Sequence, residues 1–222
     1  MIHFIIATNS EARPLIDLFK LKKKISDKLQ IYCNEDVSLT ITGIGKINSA
    51  IGVVQTFYEN SQKINNCWIN FGLAGHKSHQ IGKIFAIRKI YDNDTGQKIY
   101  PFVNSFKIDS DECISLGKEN KEYNTKIYEM ESSGFFNACN KFSSKEFIQV
   151  LKIISDNNTE SVNFKKNEQI YSLIIQHKKI IIDFTEYMKK IGTSIFGKNQ
   201  KSVDDEFLKL FKKENFTFTE EK

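Results

Sequence analysis

The sequence predicts an α/β fold: a three-layer sandwich in which a central mixed, twisted sheet is flanked by helices. Three observations carry this expectation. Short β-branched and aromatic runs alternate with helically spaced segments along the chain. Several of those runs stop at glycine-rich or polar turns, as strands do before a helix begins. No internal repeat or low-complexity linker divides the 222 residues, so one domain spanning 1–222 is expected.

The elements follow in order. Ile2 to Ala7 is an apolar run that stops at Thr8-Asn9-Ser10 and reads as a strand. Glu11 to Leu18 carries helical spacing through Ala12, Leu15, Ile16 and Phe19, with Pro14 near the first turn, where proline is tolerated. Strands are predicted at Leu29 to Asn34 and at Val37 to Thr42, the latter from the alternation of Val37, Leu39 and Ile41. A Gly43-Ile44-Gly45-Lys46 turn leads into a helix over Ile47 to Tyr58. Cys67 to Phe71 reads as a buried strand ending in Gly72-Leu73-Ala74-Gly75, and Trp68 and Phe71 within it are expected in the core. Ile84 to Tyr91 is a further strand, followed by an Asp92-Asn93-Asp94-Thr95-Gly96 turn. Residues 104 to 125 show no usable pattern. Ser132 to Lys141 is expected to be helical, Ile148 to Ile154 a strand closing on Ser155-Asp156, and Glu168 to Ile191 and Asp204 to Lys213 helices.

Composition narrows the function classes. The formal charge is +5, but the lysines are spread along the chain and only Arg13 and Arg88 are arginines. A nucleic-acid surface gathers its cations on one face with aromatics between, so no nucleic-acid partner is expected. The densest run, Lys20, Lys22, Lys23 and Lys24, reads as a solvated helix end, with an anion contact as the alternative. Cys33, Cys67, Cys113 and Cys139 are widely separated, which argues for reduced, mostly buried thiols and against a metal or disulfide framework. No stretch nears the roughly 18 apolar residues of a membrane span, and the short apolar start lacks the basic flank of a signal peptide. A cytoplasmic protein without membrane partner or cofactor is expected.

In open α/β sheets, ligands bind where strand ends converge. Four such ends carry candidate chemistry: Glu11, the Gly43 to Gly45 turn, the Gly72 to Gly75 turn, and Ser155-Asp156, with Glu131 ahead of a helix. Each has an ordinary reading too. Glu11 suits a helix N-terminus, a G-x-G suits a tight turn, and Ser-Asp suits a cap. His76 and His79 beside the glycine turn lack a third ligand in the sequence and read as surface loop residues.

The motifs in these places resemble a known family. Thr42-Gly43-Ile44-Gly45-Lys46-Ile47-Asn48-Ser49-Ala50 is similar to the T-G-I-G-K-V-N-A-A segment of the methylthioadenosine/S-adenosylhomocysteine nucleosidases. Asn70-Phe71-Gly72-Leu73-Ala74-Gly75 followed by Ile81-Gly82-Lys83-Ile84 resembles their N-x-G-x-A-G and I-G-D elements. Glu129-Met130-Glu131-Ser132-Ser133-Gly134 is similar to D-M-E-(A/G)-x-A, and Lys152-Ile153-Ile154-Ser155-Asp156 to R-x-I-S-D. The four blocks stand in the family's order and the likeness covers the chain to about residue 160.

The resemblance implies a nucleoside phosphorylase-like fold, a small-molecule nucleoside substrate, a homodimer and a place in methionine salvage. It implies Glu11 as the base that activates water and Asp156 as the acid that protonates the departing purine. Glu131 and Met130 would hold the ribose, Ser155 and Lys152 would support the site, and Gly45, Ala74 and Gly75 would line it. Hydrolysis is expected over phosphorolysis, because the first loop, Ala7-Thr8-Asn9-Ser10, lacks a phosphate-binding arginine or glycine and leads into a carboxylate. A phosphorylase and a nucleoside-binding protein without turnover are the alternatives. Three departures touch base recognition: Lys152 stands for arginine, Leu73 for Ser or Thr, and residues 107 to 127 lack the family's stacking aromatic, for which Phe102, Phe106 or Tyr128 could substitute.

Overall fold

The structure is a computed structural model and describes residues 1–24, 29–60, 66–102, 105–120 and 122–192. Its elements in chain order are β1 (Ile2–Ile6), α1 (Asn9–Phe19), β2 (Lys22–Lys24), β3 (Gln30–Cys33), β4 (Val37–Ile41) and α2 (Lys46–Glu59). They continue with β5 (Cys67–Gly75), β6 (Ile84–Asp92), β7 (Lys98–Ile99), β8 (Ser110–Ser115), β9 (Ile127–Glu129), α3 (Ser132–Cys139), β10 (Ile148–Asp156) and α4 (Asn167–Ile175). A further helical stretch covers 178–192.

The sheet is mixed, as expected. β1 lies between β4 and β5 with both pairings parallel, so their carboxyl ends share one edge. β5 pairs in parallel with β10 along nearly its whole length, and a register shift near the end sets Asp156 opposite Gly75. On the far side, β10, β6, β8 and β9 pair in turn, and β9 returns to β5, so this half of the sheet closes on itself. β3 and β2 extend the open half beyond β4.

Period-two alternation along the strands divides the core between the two faces. From β1, Ile2, Phe4 and Ile6 enter one cluster with Ala12 and Leu15 of α1 and Ile170 and Ile174 of α4. Ile5, the intervening residue, enters the other with Val53 of α2 and Phe135 and Phe136 of α3. Trp68 and Phe71 are fully buried, as the sequence predicts. Cys67, Cys113 and Cys139 are buried and all four thiols are free.

Three expectations are corrected. Residues 110–115, patternless in sequence, form β8: Cys113 and Ile114 are its only apolar residues, and it owes its place to pairing with β6 and β9. The predicted helix over Glu168 to Ile191 is interrupted by a turn at Gln176-His177, where the His177 ring hydrogen-bonds to the Gly82 carbonyl at 2.6 Å. The lysine run is a helix end only at its first residue. Lys20 closes α1 in a left-handed conformation (φ 52°), and Lys22 to Lys24 pair with β3 as an edge strand. The helix expected at Asp204 to Lys213 lies outside the described residues.

Candidate functional site

The parallel register of β4, β1, β5 and β10 gathers the candidate residues around one cavity of about 1100 Å3 at the strands' carboxyl ends. Glu11, Ala74, Gly75, Met130, Glu131, Ser155 and Asp156 all line it. Gly45 and Lys152 do not, and they act on the site from behind.

Glu11 takes the helix N-terminal place its position suggests and also lines the cavity. Thr8 caps α1, and its hydroxyl (2.6 Å) and N–H (3.0 Å) donate to Glu11 Oε2 in a capping box. Among the described residues Oε1 accepts only the Leu73 N–H, at 2.9 Å, so it keeps a lone pair for a ligand. The departure at Leu73 therefore leaves this contact intact, because the backbone makes it. The side chain of Leu73 faces the cavity.

Behind the cavity floor, Lys152 is 1% exposed and points its ammonium at Glu129 Oε2 (3.1 Å) and Glu131 Oε2 (3.6 Å). Burial opposes the Lys152 charge, but Glu129, Glu131 and Glu11 outweigh it and raise its pKa. Glu129 is opposed by burial too; Lys152 and the N–H groups of Glu131 (2.9 Å) and Ser132 (2.8 Å) hold its pKa below the usual range. For Glu131 burial prevails over Lys152, and the pKa is raised. Glu131 Oε1 accepts the N–H of Gly45 at 3.0 Å. Gly45 reaches that position with φ 106°, a conformation that side chains disfavour, which is the physical reason for glycine at the start of α2.

At the opposite wall, Ser155 donates its hydroxyl to Asp156 Oδ1 at 2.7 Å. The Tyr123 hydroxyl donates to Asp156 Oδ2. Tyr123 was not among the aromatics the sequence suggested for this wall. Of those three, only Tyr128 lines the cavity; Phe106 packs edge-on against Phe184 at 5.2 Å, and Phe102 is exposed. No spacing singled out Tyr123, because the turn that carries it between β8 and β9 has no periodicity to read.

His76 is not a surface residue: it is 4% exposed, and its N–H donates to the Asp156 carbonyl at 3.0 Å. Its Nδ1 accepts the N–H groups of Ser78 (3.0 Å) and His79 (2.9 Å), and burial lowers its pKa, so the ring is neutral. His79 stacks on it at 3.6 Å and meets Asp111 at 2.8 Å. These three are the one group among the described residues with metal-ligand types gathered together. Their geometry does not suit an ion. A metal lies in the plane of each imidazole it binds, and two rings stacked at 18° direct their lone pairs along parallel planes. The cluster fixes the turn beneath Asp156.

Neither arginine reaches the cavity. Arg13 is 69% exposed and pairs with Asp17, and Arg88 pairs with Glu112. Three carboxylates, Glu11, Glu129 and Glu131, face the buried ammonium of Lys152, so the floor of the site is anionic, while the exposed Lys77 lines the same cavity. Such a floor favours a cation or a polyhydroxylated sugar and repels a dianion.

By sequence, no family model and no curated protein matches the chain. By structure, it is similar to the methylthioadenosine/S-adenosylhomocysteine nucleosidase of Campylobacter jejuni, with TM-score 0.64, 17% identity, and coverage of 84% of this chain and 97% of that one. It is also similar to the methylthioadenosine nucleosidase of Arabidopsis thaliana, with TM-score 0.69, 12% identity, and coverage of 84% and 95%. The Neisseria meningitidis nucleosidase, solved with methylthio-immucillin-A, gives TM-score 0.61, 15% identity, and coverage of 79% and 98%. At these identities the likeness establishes architecture, and the chain has the nucleoside phosphorylase-like fold of the methylthioadenosine/S-adenosylhomocysteine nucleosidases.

Proposed function

We propose that the protein hydrolyses the N-glycosidic bond of a 5′-substituted adenosine. The observation that carries this reading is the gathering of three carboxylates around one cavity: Glu11 with Glu131 on the floor, and Asp156 on another wall. Breaking the C1′–N9 bond builds positive charge on the ribose, which an anionic floor stabilises. Glu131 accepts hydrogen bonds from the ribose hydroxyls while Met130 packs on the sugar. Glu11 Oε1 takes a proton from water as the water oxygen bonds to C1′. Asp156 delivers its proton to a ring nitrogen of the purine, which leaves with the bond's electrons. Ser155 orients Asp156.

Hydrolysis is favoured over phosphorolysis because both arginines pair outside the cavity and the floor is acidic. A binding protein without turnover is the second reading, favoured by the Tyr123 contact that occupies Asp156. Base release from methylthioadenosine, S-adenosylhomocysteine and inosine tests the reading. Release of adenine from the thioethers supports it, release from none of the three ends it, and tight binding without release selects the second reading.

We also infer a homodimer. Ile47, Ile51, Val54 and Tyr58 of α2 are exposed at three- and four-residue spacing, with Ile44 continuing the stripe to the cavity rim. A second copy on this face would cover the stripe. We further infer a cytoplasmic reaction on a small nucleoside, of the methionine-salvage type, from the likeness of the motifs; no described helix is long and apolar enough to cross a membrane.

A further inference from the structure

Asp156 has both carboxylate oxygens engaged. Oδ1 accepts the Ser155 hydroxyl and Oδ2 accepts the Tyr123 hydroxyl. The Tyr123 contact is built into the wall. Its ring lies 5.3 Å from that of Tyr128, which pairs with Gly75 on the neighbouring strand. Gly75 supplies the room: a Cβ there would overlap the Tyr123 ring and hydroxyl and stand 2.8 Å from Asp156 Oδ2. Any side chain at position 75 would exclude the contact.

A hydroxyl donating to Oδ2 occupies the direction along which that oxygen would offer a proton to a base. We propose that Tyr123 and the nucleobase compete for Asp156, so that Tyr123 sets the site's affinity for the base. This rests on the proposed nucleosidase reading, in which Asp156 protonates the purine. Before substrate binds, Tyr123 donates to Oδ2 and keeps the carboxylate partnered in a half-buried wall. When the base enters, Asp156 Oδ2 takes up a proton from solvent, the Tyr123 hydroxyl turns away, and Oδ2–H donates to the ring nitrogen in its place. Each binding event therefore breaks one hydrogen bond to a charged group, and the free energy of that bond is subtracted from affinity. The role belongs to positioning and selectivity, since a base with no acceptor nitrogen facing Asp156 gains nothing by displacing the hydroxyl.

Two measurements test this, and only one depends on the nucleosidase reading. The first is trypsin cleavage after the exposed Lys118, in the same turn as Tyr123. Tyr123→Phe and Asp156→Asn should each accelerate cleavage of the native protein, and the double variant should be no faster than either single one, because both remove one contact. Equal cleavage of wild type and Tyr123→Phe would overturn the proposal whether or not the protein is a nucleosidase. The second is calorimetric binding of adenine. Tyr123→Phe should tighten binding by roughly tenfold, the fold-change of one lost hydrogen bond to a charged group. It should also lower KM. Weaker adenine binding in the variant would make Tyr123 a direct contact of the base and overturn the competition. Wild-type protein that binds no adenine would end the nucleosidase reading and with it the competition, even where the cleavage result shows the contact to be real.

Discussion

Lys152 carries more of the site than its distance from the cavity suggests. It is the shared counter-ion of Glu129 and Glu131, and all three are buried. Lys152→Met removes the cation and strands two carboxylates in a low-dielectric interior, which typically costs about 3–5 kcal/mol. Chemical denaturation should record a loss of that size, and Glu129→Gln in the same chain should restore part of it. Glu11→Gln tests a different property of the floor. Glutamine cannot take a proton from water, and its amide N–H2 must face one of the two N–H groups that Glu11 accepts. Turnover is expected to fall by about 10²- to 10⁴-fold, with a stability loss of about 1 kcal/mol from the weakened cap. Retention of wild-type turnover would remove Glu11 from the mechanism. Glu11, Glu131, Ser155 and Asp156 were candidates in the sequence because each sits at a strand or helix end, the last three within motifs, and all four line one cavity. It did not identify Tyr123, whose role depends on Gly75 and Asp156, 48 and 33 residues away in the chain, meeting at one point.

At the scale of elements, α2 and α3 pack so closely that a side chain has no place at Gly134. A Cβ there would overlap the carbonyl of Lys46, a backbone atom that cannot rotate away. Gly134→Ala should therefore cost about 3 kcal/mol or more and lower Tm by at least roughly 6 °C. An unchanged Tm would mean that the helices do not cross as described. The crossing matters to the site, since Gly45 and Glu131, at the N-terminal ends of these two helices, are joined by a hydrogen bond. The strands β1, β4, β5 and β10 were legible from sequence, because burial on both faces selects runs of mostly apolar side chains. β8 was not, since four of its six residues are polar and its pairing with β6 and β9 is a long-range choice. The break at Gln176-His177 was equally hidden: the spacing of apolar residues runs on through it, and the interruption comes with a hydrogen bond to Gly82.

For the whole molecule, acid should be destabilising in a defined window. His3 is fully buried, its ring tilted against Trp68 at 4.5 Å and hydrogen-bonded to Ser38 at 2.5 Å. Burial, aided by the N-terminal charge, lowers its pKa to about 3, whereas the unfolded chain has 6.5. The unfolded state therefore binds the extra proton between these values, so stability falls as pH drops through the window, by about 1.4 kcal/mol per unit. Denaturation midpoints followed from pH 7 to 4 should show this slope, and His3→Phe should flatten it; an unaltered slope would assign the acid sensitivity elsewhere. The α2 stripe makes a second prediction at this scale. Ile47→Glu, with Ile47 at 77% exposure, should leave the fold intact and convert a dimer to a monomer in sedimentation. The central claim, hydrolysis on an anionic floor, is most directly tested by adenine release from methylthioadenosine in phosphate-free buffer, repeated with phosphate added. The floor described here predicts release without phosphate and no gain on adding it. Release that begins only when phosphate is supplied would contradict it.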